Sequence, residues 1–461
     1  MTDRCRRIAI IGAGFSGTTL AIQLLRRVTT PTEILLIDRS GVFGLGLAYS
    51  TTNRDHLLNV HAGRMSLFPD EPDHFLSWLK LTNHPAANDA DLAHAFLPRA
   101  DYGKYLQDSL AAAVKAAPLN VRIELITGEV ATLDSGEHHT AIGLSDGRTL
   151  IADQAVLCLG NPIPYLPARY DDTASLAGRV VDDPWTTDAL QRIRPDDQVA
   201  LIGSGLTMID IVIDLAGRGH RGTLHAVSRH GLLPNAHAAS HAYTIDAFDI
   251  PGTIRGQLRW MRAHVAKAAG AGIDWRAVID AVRPHIQLFW RALSKSERKR
   301  FLRHCRAYWD VHRHRTAPAV AARIDALRTS GQLTVTAGRI AKIECTADKI
   351  ALSIAPRGEA SERTLDVDWI LNCTGPTSHY AKGPDRLVRD LLDSGTIRLD
   401  GLGLGFDIAP DGKAITKEGP PSSRLYALGP PTRGVLWEIT AVPDIRIQCA
   451  ALAENLATDF G

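Results

Sequence analysis

Apolar positions near the start of the chain predict a strand, a helix and a second strand, in that order. Residues 7–11 form a short run, apolar after Arg7, with no alternation of polar positions. Such a run is typical of a strand buried on both faces of a parallel sheet. From Phe15 to Val28, apolar residues recur at helical spacing and form one stripe. A second apolar strand then ends in Asp38.

Three glycines connect the first strand to the helix. Gly12, Gly14 and Gly17 have the spacing G-x-G-x-x-G. The first permits a tight turn, the second lets a pyrophosphate approach the backbone, and the third lets the helix pack on the strand. The helix start offers free N–H groups to a phosphate, and Asp38 lies where a carboxylate accepts hydrogen bonds from a ribose diol. The combination predicts a dinucleotide site, and a plain glycine turn is the alternative interpretation.

The same order of elements occurs a second time. A buried strand precedes Gly203, Ser204 and Gly205, and a helix and another strand follow. Each half continues into short strand-like runs separated by turn residues, as in a β-meander. These runs lie at 121–126, 129–133, 141–144 and 149–151 in the first half, and at 333–336, 340–345 and 350–354 in the second. Each half closes with an apolar strand and a glycine, Gly160 or Gly375, so the duplication predicts two nucleotide-binding folds.

The predicted fold class is α/β, with two Rossmann-like dinucleotide-binding domains that carry β-meanders and a helical insertion in the second. The insertion covers 236–330, where apolar residues recur at helical spacing and Lys and Arg outnumber Asp and Glu. It is interpreted either as a solvated basic helix face or as a cap over the substrate that attracts an anionic ligand. The predicted ranges are 1–180 and 376–461 for the first domain, 181–235 and 331–375 for the second, and 236–330 for the insertion.

Composition and charge narrow the functional classes. The chain has 461 residues, 45% of them hydrophobic, and a formal net charge of +2, which gives no global basic field for nucleic acid. The apolar run at 7–11 is too short for a signal peptide, and no apolar stretch is long enough to span a bilayer. The six cysteines are scattered without a C-x-x-C pair, which indicates reduced thiols in a cytoplasmic protein and no zinc ribbon. No metal site is predicted.

The order of these elements resembles the two-dinucleotide-binding-domain flavoproteins, in which FAD takes the first site and NAD(P)H the second. The chain is similar to the class B flavin monooxygenases and the amino-acid N-hydroxylases, and to a group of bacterial FAD/NAD(P)-binding oxidoreductases. The resemblance spans nearly the whole chain apart from 236–330. It implies FAD and NADPH as cofactors.

Several residues match the family's functional positions. Gly429 and the helix after it resemble the segment that places a helix N-terminus at the flavin pyrimidine edge. The run from Asn59 to Asp70 resembles the segment whose asparagine faces the flavin, so Asn59 is the candidate catalytic residue; tying down a loop is its alternative role. The predicted residues of the first cofactor site are Gly12, Gly14, Phe15, Ser16, Gly17, Asp38, Arg39, Gly46, Arg64, Val130, Gly160 and Gly429. Gly375 is also predicted to bind a cofactor, because Gly160 and Gly375 end strands that match the family's paired alanine-threonine-glycine linkers. Those of the second are Gly203, Ser204, Gly205, Ser228 and Arg229.

The second fingerprint departs from the pattern in two ways. Met208 replaces the third glycine, and Ser228-Arg229 stands where a ribose-binding acid is found. A guanidinium and a hydroxyl suit the 2′-phosphate of NADP, because charge-assisted hydrogen bonds to a dianion are strong. The alternative is that Arg229 is an ordinary surface residue at a strand end.

The resemblance implies an FAD-dependent, NADPH-consuming oxidoreductase, with a monooxygenase favoured. Such an enzyme oxygenates N, S or C of a small molecule with dioxygen, through a C4a-peroxyflavin. Two alternatives stay open: a reductase or dehydrogenase that passes electrons to a quinone or protein acceptor, and a non-catalytic FAD/NADPH-binding sensor or scaffold. No nucleic-acid or membrane partner is expected. The substrate and the oligomeric state do not follow from the sequence.

Overall fold

The computed structural model describes residues 5–166, 178–185, 188–245, 248–345, 348–376, 380, 383 and 385–458. Its strands are β1 (Arg6–Ile11), β2 (Thr32–Asp38), β3 (Val121–Thr127), β4 (Val130–Ser135), β5 (Thr140–Leu144), β6 (Thr149–Ala152), β7 (Gln154–Leu157), β8 (Val180–Val181), β9 (Val199–Ile202), β10 (Leu224–Ser228), β11 (Leu333–Cys345), β12 (Ile350–Pro356), β13 (Arg363–Val367), β14 (Trp369–Asn372), β15 (Lys413–Ile415) and β16 (Pro421–Ala427).

The described residues form helices in both halves of the chain. They are α1 (Phe15–Arg27), α2 (Gly46–Tyr49), α3 (His74–Leu81), α4 (Arg99–Ala116), α5 (Ala189–Arg192), α6 (Leu206–Gly217), α7 (Ile254–Gly270), α8 (Trp275–Val282), α9 (Ile286–Ala292), α10 (Lys295–His304), α11 (Arg306–Arg313), α12 (Pro318–Thr329), α13 (Arg386–Asp393) and α14 (Val442–Thr458). Within this described part of the chain, no helix is both long and apolar enough to cross a bilayer.

The first of two compact units comprises Met1–Arg54, Val60–Pro162 and Ser378–Gly461. Its main sheet has the strand order β15-β16-β7-β1-β2-β3, and all neighbours are parallel except β15 and β16. The last four residues of β1, Ile8–Ile11, are buried, as the unbroken apolar run predicts for a strand covered on both faces. β4, β5 and β6 form a separate antiparallel meander.

One strand of this unit was assigned to the wrong sheet by the sequence pattern. The run at 121–126 was expected to open the meander, but β3 pairs in parallel with β2, from Val121 beside Thr32 to Thr127 beside Asp38. β3 is the edge strand of the main sheet and is partly exposed. A half-exposed edge strand has the same polar–apolar texture as a meander strand, so periodicity could not distinguish them.

The second unit comprises Asp55–Asn59 and Ile163–Thr377. Its sheet has the order β13-β12-β11-β10-β9-β14-β8, so β14-β9-β10-β11 repeats the order of β7-β1-β2-β3. β8 to β11 and β14 contribute the parallel pairs, and β11, β12 and β13 the antiparallel ones. The prediction of two Rossmann-like folds with meanders is confirmed.

The second meander differs from the pattern in one respect. The runs at 333–336 and 340–345 were expected as two strands, but they belong to the single strand β11. Its first part, to Ala337, pairs in parallel with β10, and the rest pairs antiparallel with β12 from Gly338 onward. Gly338 looks like a turn in the sequence because it is a glycine between two apolar runs. In the structure a Cβ there would lie 2.7 Å from Ile354 Cγ2, so the glycine allows close strand packing instead.

Helices α7 to α12 lie between β10 and β11, within the predicted insertion. Three of them begin at residues with a capping side chain: Thr253 accepts from the Gly256 amide, Asp274 from the Arg276 amide and Ser294 from the Glu297 amide. Each such cap satisfies an amide that the helix start leaves open, and is worth about 1 kcal/mol.

The predicted division at residues 180 and 181 differs from the unit border at Pro162, and the segment Asp55–Asn59 groups with the second unit.

Candidate functional site

The first glycine loop, in the first unit, is shaped by two glycines that have no room for a side chain. Gly12 has φ +101°, and a Cβ on it would lie 2.4 Å from the carbonyl oxygen of Cys158. A Cβ on Gly17 would lie 1.9 Å from the Gly12 carbonyl oxygen. The Gly12 amide also donates to the Ile37 carbonyl at 2.8 Å. The loop therefore packs closely against β1, the residue after β7 and the first turn of α1. Only glycine fits at positions 12 and 17.

The middle glycine is different, because its own backbone tolerates a side chain. Gly14 has φ −72° and ψ −164°, an ordinary extended conformation, and the nearest atom to a Cβ on it is Gly46 Cα at 3.5 Å. Gly46 itself has φ +51°. Together the two glycines leave a surface without side chains at the start of α1. The helix begins with Phe15 and Ser16, and its N-cap, Gly14, makes no side-chain hydrogen bond. This cradle, which a methyl group would fill, fits a pyrophosphate.

Asp38 is held beside this loop at the end of β2. Its Oδ2 accepts from the Ala13 amide at 2.8 Å, and its Oδ1 accepts from the amide and hydroxyl of Ser40 at 2.9 and 2.6 Å. A carboxylate has about four acceptor positions, so these bonds orient Asp38 and leave capacity for a ribose hydroxyl. The next residue, Arg39, is exposed.

The loop after β16 meets the same helix start. Gly429 has φ +77°, and a Cβ on it would lie 2.4 Å from Ser16 Oγ. Its amide donates to Gln448 Oε1 at 2.8 Å, and Gln448 Nε2 donates to Thr432 Oγ1 at 3.3 Å. The structure thus brings Gly429 and Ser16 together, as expected of one site. Gln448 and Thr432 were missed by the sequence analysis, because only tertiary packing brings them to this loop.

An aromatic group lies next to the glycine surface. The ring centroid of Phe15 lies 6.4 Å from those of Tyr49 and Tyr102, and the centroids of Tyr49 and Tyr102 are 4.8 Å apart. Among the described residues, the buried Tyr102 hydroxyl and the Arg446 Nε have no hydrogen-bond partner. Burial raises the pKa of Tyr102 well above its usual value, so the hydroxyl remains a donor at neutral pH. Buried donors without partners are a feature of sites that hold a polar ligand or water.

The other predicted residues of the first site are spread along the unit. Val130 is the first residue of β4 and is buried, while Arg64 is exposed at the end of a short 3-10 turn. Gly160 follows β7 with φ +68°, and among the described residues no atom apart from its chain neighbours lies within 4 Å of a Cβ there. Gly375, in the second unit, has the equivalent position after β14, with φ +74° and the same open space.

The second glycine loop repeats the geometry of the first. Gly203 has φ +117°, its Cβ would lie 2.2 Å from the Cys373 carbonyl oxygen, and its amide donates to the Val227 carbonyl at 2.8 Å. Gly205 has φ −87° and ψ −164° at the start of α6, with nothing within 4 Å of a Cβ. Met208, in place of the third glycine, is fully buried. With Met208 in place, Gly203 and Gly205 still have the backbone conformations of Gly12 and Gly14 in the first loop.

The strand-end residue distinguishes the two loops. Ser228 occupies the place of Asp38 at the end of β10, with its Oγ 2.8 Å from Ser204 Oγ and accepting from the Gly231 amide at 3.0 Å. Ser204 also donates to the Leu232 carbonyl at 2.6 Å. Arg229, the next residue, is exposed. A neutral hydroxyl thus replaces a carboxylate at the strand end, while an exposed arginine, Arg39 or Arg229, follows it in both loops.

Cys158 and Cys373 contribute their backbones and not their thiols. Both residues are buried, and burial raises the pKa of both thiols far above the usual range. Such thiols are poor nucleophiles at neutral pH. Their carbonyl groups are the atoms that require Gly12 and Gly203.

Asn59 lies in the short segment Asp55–Asn59, which makes several contacts within the second unit. Asp55 pairs with Arg323 at 2.8 Å, and His56 Nε2 lies 3.1 Å from the Asp210 carbonyl oxygen. The Asn59 carbonyl oxygen lies 3.0 Å from His237 Nε2. This last contact uses the backbone of Asn59, so it would survive replacement of the side chain.

Comparisons with known proteins agree with this geometry. Residues 9–162 match a family model described as FAD-NAD(P)-binding, which confirms the predicted class of cofactor for the segment with the first loop. Nitrosuccinic acid synthase npaA of Aspergillus oryzae is 27% identical over 243 residues, which are 46% of this chain and 36% of that protein. The chain therefore spans little more than a third of the length of this curated relative.

Two solved structures match nearly the whole chain. Ornithine N-hydroxylase KtzI of Kutzneria sp. 744, solved with reduced FAD, NADP+ and L-ornithine, has a TM-score of 0.64 at 16% identity, covering 99% of this chain and 100% of that one. Bacillithiol disulfide reductase Bdr of Staphylococcus aureus has a TM-score of 0.57 at 13% identity, covering 98% of both chains. The chain has the fold of the two-dinucleotide-binding-domain flavoproteins. This fold serves both oxygenating and reducing enzymes, so the activity has to be argued from the sites.

We predict that Gly14→Ala keeps the protein folded but loses FAD. The methyl group meets no close atom of the chain and would occupy the pyrophosphate position. FAD affinity should fall at least about tenfold, since losing one hydrogen bond to a charged group costs about 1.5–3 kcal/mol. The measurement is the flavin-to-protein absorbance ratio of the purified protein, together with its circular dichroism.

Two further variants make this test specific. Gly136→Ala, a first-unit glycine whose Cβ would lie 3.4 Å from the His139 carbonyl oxygen, should retain FAD. Gly17→Ala should fail to fold, because its Cβ collides with the Gly12 backbone. Full flavin content in Gly14→Ala would show that the pyrophosphate lies elsewhere.

Proposed function

We propose that the protein is an FAD-dependent, NADPH-consuming monooxygenase that oxygenates a nitrogen atom of a small amino acid or related amine. The observation that carries the proposal is the pair of glycine loops with one backbone geometry and different strand-end side chains. Two loops of this kind suit two different dinucleotides in one chain. The names of the ornithine N-hydroxylase and the nitrosuccinic acid synthase both describe nitrogen oxidation, which supports the choice of atom.

In the proposed first site, residues of the chain bind and orient FAD. The amides at the start of α1, exposed beside Gly14, would receive the pyrophosphate, and Asp38 would accept from the ribose. Val130 would contact the adenine through its backbone, with Arg39, Gly46, Arg64, Gly160 and Gly429 lining the rest of the FAD site. When bound, FAD supplies the redox chemistry, accepting a hydride from NADPH and passing two electrons to dioxygen.

In the proposed second site, Gly203, Ser204 and Gly205 would hold the NADPH pyrophosphate, and Ser228 and Arg229 the 2′-phosphate. A carboxylate at the position of Ser228 would repel that dianion, whereas an exposed guanidinium attracts it. The balanced reaction is RNH2 + O2 + NADPH + H+ → RNHOH + NADP+ + H2O. Asn59 would donate its amide N–H to the oxygen that is being transferred or to the nicotinamide amide.

The helical insertion favours an anionic substrate. Arg313 and Arg315 are only 7% and 4% exposed, and Arg315 pairs with Asp280. Burial lowers the pKa of Arg315, and the ion pair with Asp280 opposes this shift. The excess of Lys and Arg over Asp and Glu in 236–330 would attract a substrate carboxylate, which an amino acid has and a simple amine lacks.

We predict that NADPH reduces the bound flavin without oxygen, and that dioxygen then produces a hydroxylated amine. The test is anaerobic stopped-flow reduction, followed by isotopically labelled dioxygen and a panel of amino acids and their decarboxylated amines, with product detection by mass spectrometry. One labelled oxygen atom in an amino-acid product, with little in its amine, is expected. Reoxidation without any oxygenated product, together with NADPH-driven reduction of a quinone or disulfide, would establish the reductase alternative.

We predict that Arg229→Ala weakens NADPH binding and leaves NADH binding unchanged. The loss should be about 1.5–3 kcal/mol, the cost of a hydrogen bond to a charged group, or roughly 10- to 150-fold in Kd. Kd for each nucleotide is measured by titration of the flavin-loaded protein. Arg221→Ala is the matched control, because Arg221 is an exposed arginine of the same unit that pairs with Asp196. Equal losses for both nucleotides would remove Arg229 from the 2′-phosphate.

We predict that Asn59→Ala retains NADPH-driven flavin reduction but forms less product per NADPH consumed. The substitution preserves the carbonyl that contacts His237, so the segment stays in place while the amide is lost. Product and hydrogen peroxide are measured per NADPH oxidised, with the exposed Asn88→Ala as control. An unchanged product yield would leave Asn59 with a purely structural role.

A further inference from the structure

A second exposed arginine reaches the end of β10 from the meander of the second unit. Arg357 directly follows β12, and its amide donates to the Ala337 carbonyl at 2.8 Å, which holds it beside β11. Its Nη1 lies 2.7 Å from Nδ1 of His230. His230 follows Arg229 directly, two residues after Ser228. Three residues with basic side chains, from two separate parts of the chain, therefore lie at the carboxyl end of one strand.

The contact between Arg357 and His230 defines the protonation state of the imidazole. A guanidinium has only donors, so Nδ1 must be the acceptor and His230 is neutral in this arrangement. The groups that face the ring are Arg229 from its own strand end, Arg357 from the turn after β12, and Tyr308 of α11, whose ring centroid lies 5.4 Å away. Partial burial, and then Arg357 and Arg229, lower the pKa of His230 below its usual value.

Within the described part of the chain, no carboxylate contacts His230 to offset this positive charge. The end of the second strand in a dinucleotide fold is where the 2′ position of the adenosine ribose lies. A dianion arriving there would attract both guanidinium groups through charge-assisted hydrogen bonds. It would also favour the protonated form of a neighbouring imidazole, since an opposite charge within a few ångströms stabilises the charged state.

We propose that Arg357 and His230 join Arg229 in binding the 2′-phosphate of NADPH, and that His230 takes up one proton from solvent when this phosphate binds. The inference rests on the proposed use of NADPH and adds two residues and a proton to it. In the free protein the guanidinium of Arg357 rests on the neutral imidazole. When the phosphate binds, the guanidinium turns to a phosphate oxygen, and Nδ1 is released to accept the proton.

The direction of the pH dependence follows from this exchange. The pKa of His230 is low in the free protein and rises in the complex, so binding takes up a proton between the two values. Through that window the affinity for NADP+ increases as the pH falls, and it levels off below the pKa of the free protein. The second ionisation of the phosphate, near pH 6, has the opposite effect on the affinity, because the dianion binds more tightly than the monoanion. The contribution of His230 is therefore the difference in pH dependence between wild type and His230→Asn.

The experiment is isothermal titration calorimetry of the FAD-loaded protein with NADP+ and NAD+, in two buffers of equal pH and different ionisation enthalpy. On binding NADP+, the wild type should take up more proton than His230→Asn does. On binding NAD+, the two proteins should not differ in proton uptake. Arg357→Gln should weaken NADP+ binding about tenfold or more, with NAD+ unaffected. Lys342→Gln is the control, because it removes one charge from the same meander where Lys342 pairs with Glu344.

The outcomes separate this inference from the function on which it rests. The inference is overturned if wild type, Arg357→Gln and His230→Asn all bind NADP+ tightly, with equal affinity and equal proton uptake. That result leaves NADPH as the reductant. Equal weakening of NADP+ and NAD+ in Arg357→Gln overturns it too, because Arg357 then supports the fold and not the phosphate. Binding of neither nucleotide to wild type overturns both proposals.

Discussion

The two sites depend on one steric constraint, the contact between a glycine at the end of a strand and a carbonyl oxygen of the neighbouring strand's extension. At Gly12 and at Gly203 a Cβ would come within 2.4 and 2.2 Å of the carbonyl oxygen of Cys158 and Cys373. The contact exists because β1 lies between β2 and β7, and β9 between β10 and β14. This strand order therefore sets the path of each loop, and the loop sets the direction in which the following helix presents its first amides.

A shared backbone with different strand-end chemistry lets one chain hold two different ligands. Asp38 bonds the Ala13 amide directly, whereas Ser228 contacts the side chain of Ser204, the residue at the equivalent place in the second loop. A carboxylate favours ribose hydroxyls and repels a phosphate, and a hydroxyl beside arginines does the reverse. The duplicated fold thus supplies the glycine loop twice, and we propose that the side chains at the strand end after each loop select the dinucleotide that it binds.

The helical insertion acts on the segment that carries Asn59. Two of the contacts that hold Asp55–Asn59 come from residues within 236–330, Arg323 and His237. Others come from the Asp210 carbonyl in α6 and from the ring of Trp185. The insertion therefore positions this segment, whichever interpretation of its basic surface is correct. A change in the insertion can then affect Asn59 without contacting a substrate, through the hydrogen bond between His237 and the Asn59 carbonyl.

The sequence by itself determined the two loops, the strand–helix–strand units around them and the loss of the acid at Ser228, because these features depend on local spacing and on residues close in the chain. It did not determine the sheet to which β3 belongs, or the continuity of β11 through Gly338, since an edge strand and a bent strand have the same periodicity as meander strands. It also missed Gln448 beside Gly429 and Arg357 beside His230. These pairs are separated by 19 and 127 positions. Only the tertiary structure decided them, because hydrogen bonds between distant residues depend on strand order and packing, which no local pattern encodes.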